Sequence, residues 1–424
     1  MAEPLSAPKG TYDILPEDQP LRRWVINRAE GVFQRYGYSR IDTPMFEETR
    51  LFSRGVGEST DIVRKEMYTF EDLGGRSMTL RPEGTAPVAR AYVEHGMHTL
   101  PQPVKLYYHS PMFRYESPQS GRYRQHYQLG VEAFGSDAPE VDAEVIGVLA
   151  AFYRELGLGG LALRLNSMGC KECRPAYSAA LREFLNEHAA DFCGECGERA
   201  RLNPMRTFDC KVPMCRTALE AAPRLTEHLC PTCAAHHARV RECLEVQGIS
   251  FAADHTLVRG MDYYTRTTFE FQSSLLGAQS GVGGGGRYDD LVEALGGPPT
   301  PGVGFGTGIE RILLALARSG AAAPAALQPV VYLVALSADA RGEVFALAHE
   351  IRSKGVATDL DYMARSAKGQ MKQANRSGAR YAFIIGEQEL ADQAVTVRDL
   401  VSGEEKCLSK TQAVSLIVAG AAGV

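Results

Sequence analysis

No hydrophobic run in this 424-residue sequence approaches the roughly 18 residues that a helix needs to cross a bilayer. The N-terminal segment also lacks the basic start and apolar centre of a secretory signal. The net charge of −5 disfavours a protein that holds nucleic acid by bulk charge alone, but it permits a local basic groove. We therefore expect a globular protein of the cytoplasm that makes no contact with a membrane.

The common phosphate-binding signatures are missing or weak. The pattern GxxxxGK[ST] occurs nowhere, and GxGxxG matches only at Gly281, Gly283 and Gly286. A dinucleotide-binding turn follows the first strand of a βαβ unit and has an acidic residue about 20 positions later, at the end of the next strand. The sequence around GVGGGG shows neither feature. A dinucleotide-dependent oxidoreductase is thereby disfavoured. We interpret the cluster as a glycine-rich floor beneath a small ligand, with a loop as the alternative.

The length predicts two or three domains, and the sequence changes character along the chain. Residues 1–165 alternate helix-period and strand-like segments, which indicates mixed α/β structure with much antiparallel sheet. Residues 166–248 show little strand signal and predict a mostly helical insertion, which splits the sheet because strand character returns in residues 249–325. A charge-free, Ala- and Pro-rich linker, residues 319–329, precedes residues 330–424, which predict a small α/β domain with a largely parallel sheet.

Four glycines in PGVGFGTGIERILLAL recur with the two-residue period of a strand, at positions 302, 304, 306 and 308. One face of that strand therefore carries no side chains, and we expect something flat to approach it. The other face, with Val303, Phe305 and Thr307, is fit for packing. Arg311 follows in the first turn of a helix, where a cation opposes the helix dipole, so a ligand anion is its expected partner. Tight sheet packing with an incidental arginine is the alternative.

Three arginines lie where an antiparallel strand pair would turn, in PMFRYESPQSGRYRQHYQLG. The guanidinium groups of Arg114, Arg122 and Arg124 suit phosphate oxygens, and Glu116 is close enough to Arg114 to hold it in place. A solvated charged hairpin is the alternative interpretation.

Two further segments place polar groups at unusual positions. In TLRPEGTAPVARA, Glu83 and Thr85 lie on a turn before a helix, where they either bind an ammonium group or cap that helix. In LVRGMDYYTRTTFE, residues 257–270, two arginines, an aspartate and adjacent tyrosines interrupt a strand-like run. A soluble sheet does not need this chemistry for stability.

Eight of the ten cysteines lie between positions 170 and 233 and include three CxxC pairs. Eight thiolates could complete two tetrahedral zinc sites, and we predict at least one structural metal, with free thiols as the alternative. The eight are Cys170, Cys173, Cys193, Cys196, Cys210, Cys215, Cys230 and Cys233. Cys243 and Cys407 are predicted to be ordinary packed residues.

Taken in order over nearly the whole chain, these motifs resemble the class II aminoacyl-tRNA synthetases and, within that class, the histidyl-tRNA synthetase family. KGTYDILP opens the sequence, IDTPMFEE with Pro44 looks like motif 1, FRYE and the following loop look like motif 2, and PGVGFGTGIER looks like motif 3. LVRGMDYYTRTTFE and GGGGRYDD look like the two segments peculiar to the histidine enzymes.

The resemblance implies an α+β class II synthetase catalytic domain, in which helices flank an antiparallel sheet. It also implies a helical insertion that reaches the tRNA acceptor stem and a C-terminal α/β anticodon-binding domain. The implied reaction is the activation of L-histidine by ATP with Mg²⁺, followed by transfer to tRNA(His) with release of AMP and pyrophosphate. Motif 1 is expected to form the interface of a homodimer.

The resemblance also assigns roles to individual residues. Arg114 and Arg311 are expected on the α- and γ-phosphates of ATP, and Arg259 on the α-phosphate and the histidine carboxylate. The other implied ATP contacts are Glu116 near the adenine, Arg122, Gly304 and Gly306. The implied histidine contacts are Glu83, Thr85 and Gln128 at the α-amino group and Glu132 and Tyr264 at the imidazole, with Asp262 and Tyr263 in support. Gln119 and Arg124 are expected near the tRNA acceptor end.

This chain departs from the family pattern at one position of motif 2. Where the family has RQFHQ the chain reads RQHYQ, so His126 replaces the phenylalanine expected to stack on adenine. Imidazole can still stack, but it offers less apolar area.

A non-catalytic alternative is the synthetase-like regulatory subunit of histidine biosynthesis. That relative typically lacks the anticodon domain and loses parts of the LVRG and GGRYD segments, all of which this chain keeps. In the C-terminal domain, a row of basic residues predicts either a phosphate-facing helix or an ordinary solvated face. These residues are Arg365, Lys368, Lys372, Arg376 and Arg380.

Overall fold

The computed structural model describes residues 4–57, 60–277, 280–320 and 330–421. The chain divides into two compact units, Met1–Pro324 and Ala325–Val424. Residues 321–329 of the expected linker lie outside the described residues. Among the described residues, no helix is long and apolar enough to cross a membrane.

The first unit contains eleven described strands and ten described α-helices. In chain order the strands are β1 (Ser39–Arg40), β2 (Phe46–Glu48), β3 (Tyr68–Glu71), β4 (Ser77–Leu80), β5 (Val104–Phe113), β6 (Gln125–Phe134), β7 (Leu161–Ser167), β8 (Phe251–Ala253), β9 (Thr265–Ser273), β10 (Gly281–Arg287) and β11 (Gly302–Gly308). The helices are α1 (Gln19–Arg35), α2 (Thr49–Val56), α3 (Thr85–Glu94), α4 (Pro139–Glu155), α5 (Cys173–Glu187), α6 (Gly194–Leu202), α7 (Pro213–Leu219), α8 (Pro231–Val246), α9 (Leu291–Ala294) and α10 (Ile309–Ser319).

The main sheet has eight strands in the order β1-β5-β6-β11-β10-β9-β7-β8. Its six inner strands pair antiparallel, as expected, whereas the short outermost strands β1 and β8 pair parallel with β5 and β7. Strands β2, β4 and β3 form a separate small antiparallel sheet. The class II synthetase fold implied by the motifs is therefore present, with parallel pairing confined to the two edges.

The glycine cluster GVGGGG forms β10, a strand at the centre of the sheet, so the interpretation as a loop was wrong. A side chain has no room there. A Cβ on Gly285 would lie 1.9 Å from the carbonyl oxygen of Gly304, and one on Gly286 would lie 2.4 Å from that of Thr267. Glycine is required because the neighbouring backbones approach so closely.

One face of the sheet packs against α1, α4 and α10. Val303 and Phe305 are buried on this side, as the alternation in β11 predicted, and the rings of Phe33 and Phe305 lie 5.9 Å apart. Tyr108 and Tyr288 belong instead to a second cluster, formed with α2, α3 and α9. The polar residues described below lie among the residues of this second cluster.

The insertion joins β7 to β8, which are neighbours in the sheet. It consists of α5 to α8 and three 3₁₀ segments, and among the described residues between β7 and β8 no strand occurs. The 3₁₀ segments are Ala189–Asp191, Pro204–Asp209 and Leu225–His228. Strand β7 continues to Ser167, two residues beyond the boundary drawn from the sequence.

The second unit is built around a five-stranded sheet in the order β13-β12-β14-β15-β16. The expectation of a largely parallel sheet was wrong for half of it, because β14, β15 and β16 pair antiparallel. Its strands are β12 (Val331–Ala335), β13 (Thr358–Leu360), β14 (Tyr381–Ile385), β15 (Ala394–Asp399) and β16 (Glu405–Ser409). Its helices are α11 (Ala340–Ser353), α12 (Ala367–Ser377), α13 (Glu387–Ala391) and α14 (Lys410–Ala421).

A buried ion pair ties β10 of the main sheet to α4. The side chains of Arg287 and Asp142 are both fully buried and form a salt bridge, and Nε of Arg287 lies 3.0 Å from Oδ2 of Asp142. His236 on α8 contacts the same carboxylate, with its Nε2 at 3.2 Å from Oδ1. Arg287 beside Asp142 holds the pKa of that carboxyl below its usual range, although burial alone would raise it.

We predict that Asp142→Ala lowers the free energy of unfolding by about 3–5 kcal/mol, because it removes the fully buried carboxylate of the pair and leaves Arg287 with only the partly exposed Asp289. The matched control is Glu140→Ala on the same helix, which removes an exposed ion pair with Arg239 and is expected to change stability little. Urea unfolding of the two variants measures the difference. Equal stabilities would show that the buried pair does not anchor β10.

Candidate active site

The motif 2 arginines lie on the loop between β5 and β6, as the hairpin pattern predicted. The guanidinium of Arg114 is held by a backbone carbonyl, since its Nε donates to the oxygen of Pro82 at 2.8 Å. Glu116 pairs with Arg122 at 3.0 Å. The expectation that Glu116 steadies Arg114 was therefore wrong, because the carboxylate turns towards the later arginine.

The tip of the loop is a tight turn. Gln119 and Arg122 exchange backbone hydrogen bonds of 3.2 and 2.8 Å, and Gly121 between them has a φ of +75°. Arg124 is fixed beyond the turn, with Cζ 3.8 Å from the centre of the Tyr115 ring and its backbone N–H donating to Gly10 at 2.7 Å. Gln119 is exposed at the tip.

Arg114 and Arg122 line a cavity of about 420 Å³. Part of its wall comes from the insertion, including Glu195, Arg199 and Arg206. Gly260, the residue after Arg259, lines it as well. The cavity therefore brings motif 2, the LVRG segment and the insertion to one place.

Arg259 of the LVRG segment is anchored by Glu270 at the far end of the same motif, with Nη1 3.0 Å from Oε2. The carbonyl of Arg259 accepts a hydrogen bond from Arg206 of the insertion at 3.1 Å, and its Cζ lies 5.8 Å from the centre of the Tyr264 ring. Asp262 forms an ion pair with the same Arg206 at 2.5 Å, which suits the supporting role expected for it.

Arg311 lies in the first turn of α10, as expected, and its Nε donates to the carbonyl of Gly281 at 2.5 Å. Burial and the nearby charge of Arg122 lower the pKa of Arg311, and the charge of Glu270 opposes that effect. The guanidinium groups of Arg122 and Arg311 therefore repel each other, and an anion bound between them would relieve that repulsion.

Glu83 accepts hydrogen bonds from the backbone N–H groups of Thr85 and Ala86 at 2.7 and 2.8 Å. It therefore caps the start of α3, the local role that its position allowed. The hydroxyl of Tyr263 lies 3.5 Å from Glu83, and burial raises the pKa of that carboxyl. Tyr263 also packs against Tyr264, with ring centres 4.7 Å apart.

Glu132 is fully buried on β6 and is surrounded by hydroxyl groups. Thr85 donates to it at 2.7 Å, Tyr108 lies at 3.4 Å, and Tyr288 donates to its second oxygen. Burial raises the pKa of Glu132 to about 8. Its carboxyl is therefore mostly protonated near neutral pH, and a cationic ligand would favour the ionised form. Tyr264 was expected to hold the imidazole together with Glu132, and its ring lies beside the guanidinium of Arg259.

The glycines of β11 leave space that other protein side chains fill. A Cβ on Gly304 would lie 1.9 Å from Oε2 of Glu132, and one on Gly306 would lie 1.6 Å from Nε2 of Gln128. The expectation that this face waits for a flat ligand was therefore incomplete, because Glu132 and Gln128 occupy it. Oε1 of Gln128 is buried and makes no hydrogen bond to the described residues, so it can accept one from a ligand ammonium.

His126 is half-buried on β6, opposite Met112. Burial, with a further contribution from Arg114, lowers the pKa of His126 to about 3. The ring is therefore neutral near physiological pH.

Two family models and several known proteins match this chain. The histidyl-tRNA synthetase model matches residues 10–312, and the anticodon-binding domain model matches residues 330–419. The histidine–tRNA ligase of Dehalococcoides mccartyi is 51% identical over 394 residues, 93% of this chain and 94% of that protein. That of Moorella thermoacetica is 52% identical over 403 residues, 95% of each chain.

Apo S. aureus histidyl-tRNA synthetase has the same fold, with 38% identity and a TM-score of 0.83 over 98% of this chain and 100% of that one. The chain belongs to the histidyl-tRNA synthetase family.

Several residues of this family member were not assigned a role from the sequence. Glu270 stood in the quoted LVRG motif, but nothing in its spacing indicated that it pairs with Arg259. In the sequence, Tyr108 on β5 and Tyr288 directly after β10 look like ordinary core aromatics, and only the fold brings them to Glu132. Arg206 gave no signal, because its contacts to Arg259 and Asp262 span more than fifty positions.

We predict that Gly304→Ala displaces Glu132 and severely weakens histidine binding. The control is Gly308→Ala on the same face of β11, where the new Cβ would lie 3.8 Å from its nearest neighbour, Cγ of Arg311. Histidine titration by calorimetry compares the two proteins, and their melting temperatures show whether each is folded. Wild-type affinity in a folded Gly304→Ala protein would contradict the proposed geometry.

We predict that Glu132→Gln flattens the pH dependence of stability. The pKa of Glu132 rises from 4.5 to about 8 on folding. The folded protein then holds a proton that the unfolded chain releases, so this carboxyl costs stability as pH rises through that window, by about 1.4 kcal/mol per pH unit. Urea unfolding at several pH values within the window measures the slopes, and parallel curves for variant and wild type would contradict the prediction.

Proposed function

We propose that this chain activates L-histidine with ATP and transfers it to tRNA(His), as a histidine–tRNA ligase. The observation that carries the proposal is a cavity, lined by Arg114, Arg122 and the LVRG segment, that lies beside buried polar side chains. Arg114 donates to the carbonyl of Pro82, the residue before the buried Glu83. A phosphoanhydride and an amino acid need these two environments side by side. The relatives that match nearly the whole chain bear the same name.

In the first step the histidine carboxylate attacks the α-phosphorus of ATP and pyrophosphate leaves. The nucleophile is already ionised, so no general base is required. What the site must supply is alignment of the reacting atoms and positive charge on the phosphates. We assign the α-phosphate to Arg114 and Arg259 and the γ-phosphate to Arg311. Arg122 adds charge, and when ATP binds, Glu116 is assigned to the adenine.

Histidine selection is assigned to the group around Glu132. A site whose buried hydrogen-bonding groups would be left unpaired discriminates strongly against apolar amino acids. Glu132 and Tyr264 are proposed to hold the imidazole, and Gln128, Thr85 and Glu83 the α-amino group. Tyr263 supports them. Gly304 and Gly306 keep the face of β11 open for this arrangement.

Members of this family use ATP with Mg²⁺, and the phosphate side of the site suits that ion. Glu66 lines the same cavity as Arg114, and a carboxylate oxygen is a ligand that Mg²⁺ takes alongside phosphate oxygens. Burial raises the pKa of Glu66, which a divalent cation would reverse. The ion would supply additional positive charge to the phosphates.

The remaining segments are assigned to tRNA and to structure. We propose that the catalytic domain comprises residues 1–165 and 249–325, the insertion residues 166–248, and the anticodon-binding domain residues 330–424. Gln119 and Arg124 approach the acceptor end. On α12, Lys368, Lys372 and Arg376 are exposed and available to phosphates. The insertion is proposed to hold a structural metal, and the protein to work in the cytoplasm.

We propose a homodimer formed through motif 1. Met45, Phe46 and Phe70 on the small sheet are 54%, 51% and 44% exposed, and the rings of Phe46 and Phe70 lie 6.3 Å apart. A cluster of exposed large apolar side chains is typical of an interaction surface.

The activity is tested by ATP–pyrophosphate exchange with each of the twenty amino acids. Histidine alone is expected to drive exchange, and Arg259→Ala is expected to lower the rate about 100-fold or more, as loss of a transition-state contact does. Arg239→Ala, an exposed arginine on α8, is the control and should exchange like wild type. Exchange with no amino acid would favour the regulatory relative and remove the ligase proposal.

The dimer is tested by light scattering after gel filtration. Phe46→Glu is expected to weaken association at least 10-fold, because it places a charge in an apolar contact. The control is Phe345→Glu, a phenylalanine that is 59% exposed on α11. A Phe46→Glu protein that remains as dimeric as the control would place the interface elsewhere.

A further inference from the structure

The eight clustered cysteines of the insertion assemble into two separate groups of four. The first group contains Cys170, Cys173, Cys230 and Cys233, and the second contains Cys193, Cys196, Cys210 and Cys215. Within each group the sulfur atoms all lie within 4.8 Å of one another. The sequence left the partition open, and the fold resolves it by pairing the outer two CxxC motifs with each other.

The sulfur separations fit a single tetrahedral metal ion. Thiolates at about 2.3 Å from a central Zn²⁺ stand about 3.8 Å apart along the edges of a tetrahedron. The sulfur of Cys170 is 3.7 Å from that of Cys173 and 3.9 Å from that of Cys230, and Cys193 is 3.9 Å from Cys210. These distances are far longer than the roughly 2.05 Å of a disulfide. All ten cysteines of the chain are described, and none of them forms a disulfide.

In each group a backbone N–H donates to one of the sulfur atoms. The backbone N–H of Cys230 donates to the sulfur of Cys173, and the N–H of Cys193 donates to that of Cys215, each at 3.2 Å. Such outer hydrogen bonds orient metal-binding sulfurs and spread their negative charge. Five of the eight side chains are buried. Gly169 also gives the first group room, since a Cβ there would lie 2.8 Å from Cβ of Cys173.

We propose that each group of four cysteines binds one structural Zn²⁺, so that the chain carries two. This deepens the single structural metal proposed for the insertion. It does not depend on the ligase activity, because metal content is measured without an activity assay. Zinc suits four thiolates in a closed tetrahedron, and an ion without redox chemistry suits a structural site.

The two sites are nested along the chain. The outer site joins the segment after β7 to the start of α8 and so closes the base of the insertion. The inner site lies wholly within the loop that the outer site closes, and it gathers α6, α7 and the Pro204–Asp209 segment. A tetrahedral ion at each site would replace the large apolar core that so short an insertion cannot build.

Each site also lies beside an arginine that reaches the LVRG motif. Arg174 follows Cys173 directly and donates to the backbone carbonyl of Tyr264. Arg206, four residues before Cys210, donates to the carbonyl of Arg259 and to Asp262. The metal sites would therefore hold Arg174 and Arg206 in place. These two side chains of the insertion contact the LVRG segment and so help to position it.

The test is the metal content of the full chain, purified without a metal-affinity column or added chelator. Elemental analysis is expected to find two zinc ions per chain, and X-ray absorption should show four sulfur ligands at about 2.3 Å. Cys173→Ser with Cys233→Ser should retain one zinc, and so should Cys196→Ser with Cys215→Ser. The control, Cys243→Ser with Cys407→Ser, changes the two remaining cysteines and should retain both ions.

The wild-type measurement decides the proposal even if a serine variant fails to fold. Zinc well below one per chain, or iron in its place, would overturn the proposal. One zinc per wild-type chain would overturn the two-site count, and a paired variant that loses no zinc would overturn the site it alters. Ligase activity with no zinc would leave the proposed function intact and reject only these metal sites.

Discussion

The site depends on two neighbouring glycine-rich strands at the centre of the sheet, of which β11 has one face without side chains. Because that face of β11 has no side chains, Glu132 lies buried over Gly304 and the side-chain amide of Gln128 lies over Gly306. A methyl group at Gly304 or Gly306 would occupy the position of one of those side chains. Glycine destabilises a strand relative to residues with side chains. Here it leaves the space for buried polar groups that a strand with side chains on this face could not accommodate.

The ionisable groups of the site lie on two sides, with the arginines on one side and the carboxyl of Glu132 on the other. On one side, Arg114 and Arg311 are held by backbone carbonyls, and two further arginines, Arg122 and Arg259, by carboxylates. An anion would relieve the repulsion between Arg122 and Arg311. On the other side, Glu132 holds a proton that a cationic ligand can displace. Ionisable groups whose pKa values are shifted by burial and by neighbouring charges are typical of ligand-binding sites. Binding of ATP and histidine would satisfy both sides at once.

The sequence predicted the fold better than it predicted the contacts of individual residues. Motif order identified the sheet, the insertion and the α/β tail, and periodicity correctly placed Val303 and Phe305 in the core. It did not predict that Glu116 turns to Arg122, that GVGGGG is a central strand, or that half of the second sheet is antiparallel. These features depend on strand register and on contacts between distant segments, which local patterns do not encode.

The cysteines illustrate the same limit. Spacing identified three half-sites, but only the return of α8 to the end of β7 determined which half-sites share an ion. Cys407 was expected to pack in the interior, but it is exposed on the short strand β16. This strand lies at the edge of its sheet, and the local sequence pattern did not indicate which strand would lie there.

The most direct test of the central claim is a crystal structure of the chain with L-histidine and a non-hydrolysable ATP analogue. The account predicts the imidazole within hydrogen-bonding distance of Glu132, the α-amino group at Gln128, and the α-phosphate between Arg114 and Arg259. Histidine bound elsewhere, or phosphates that avoid these arginines, would contradict it.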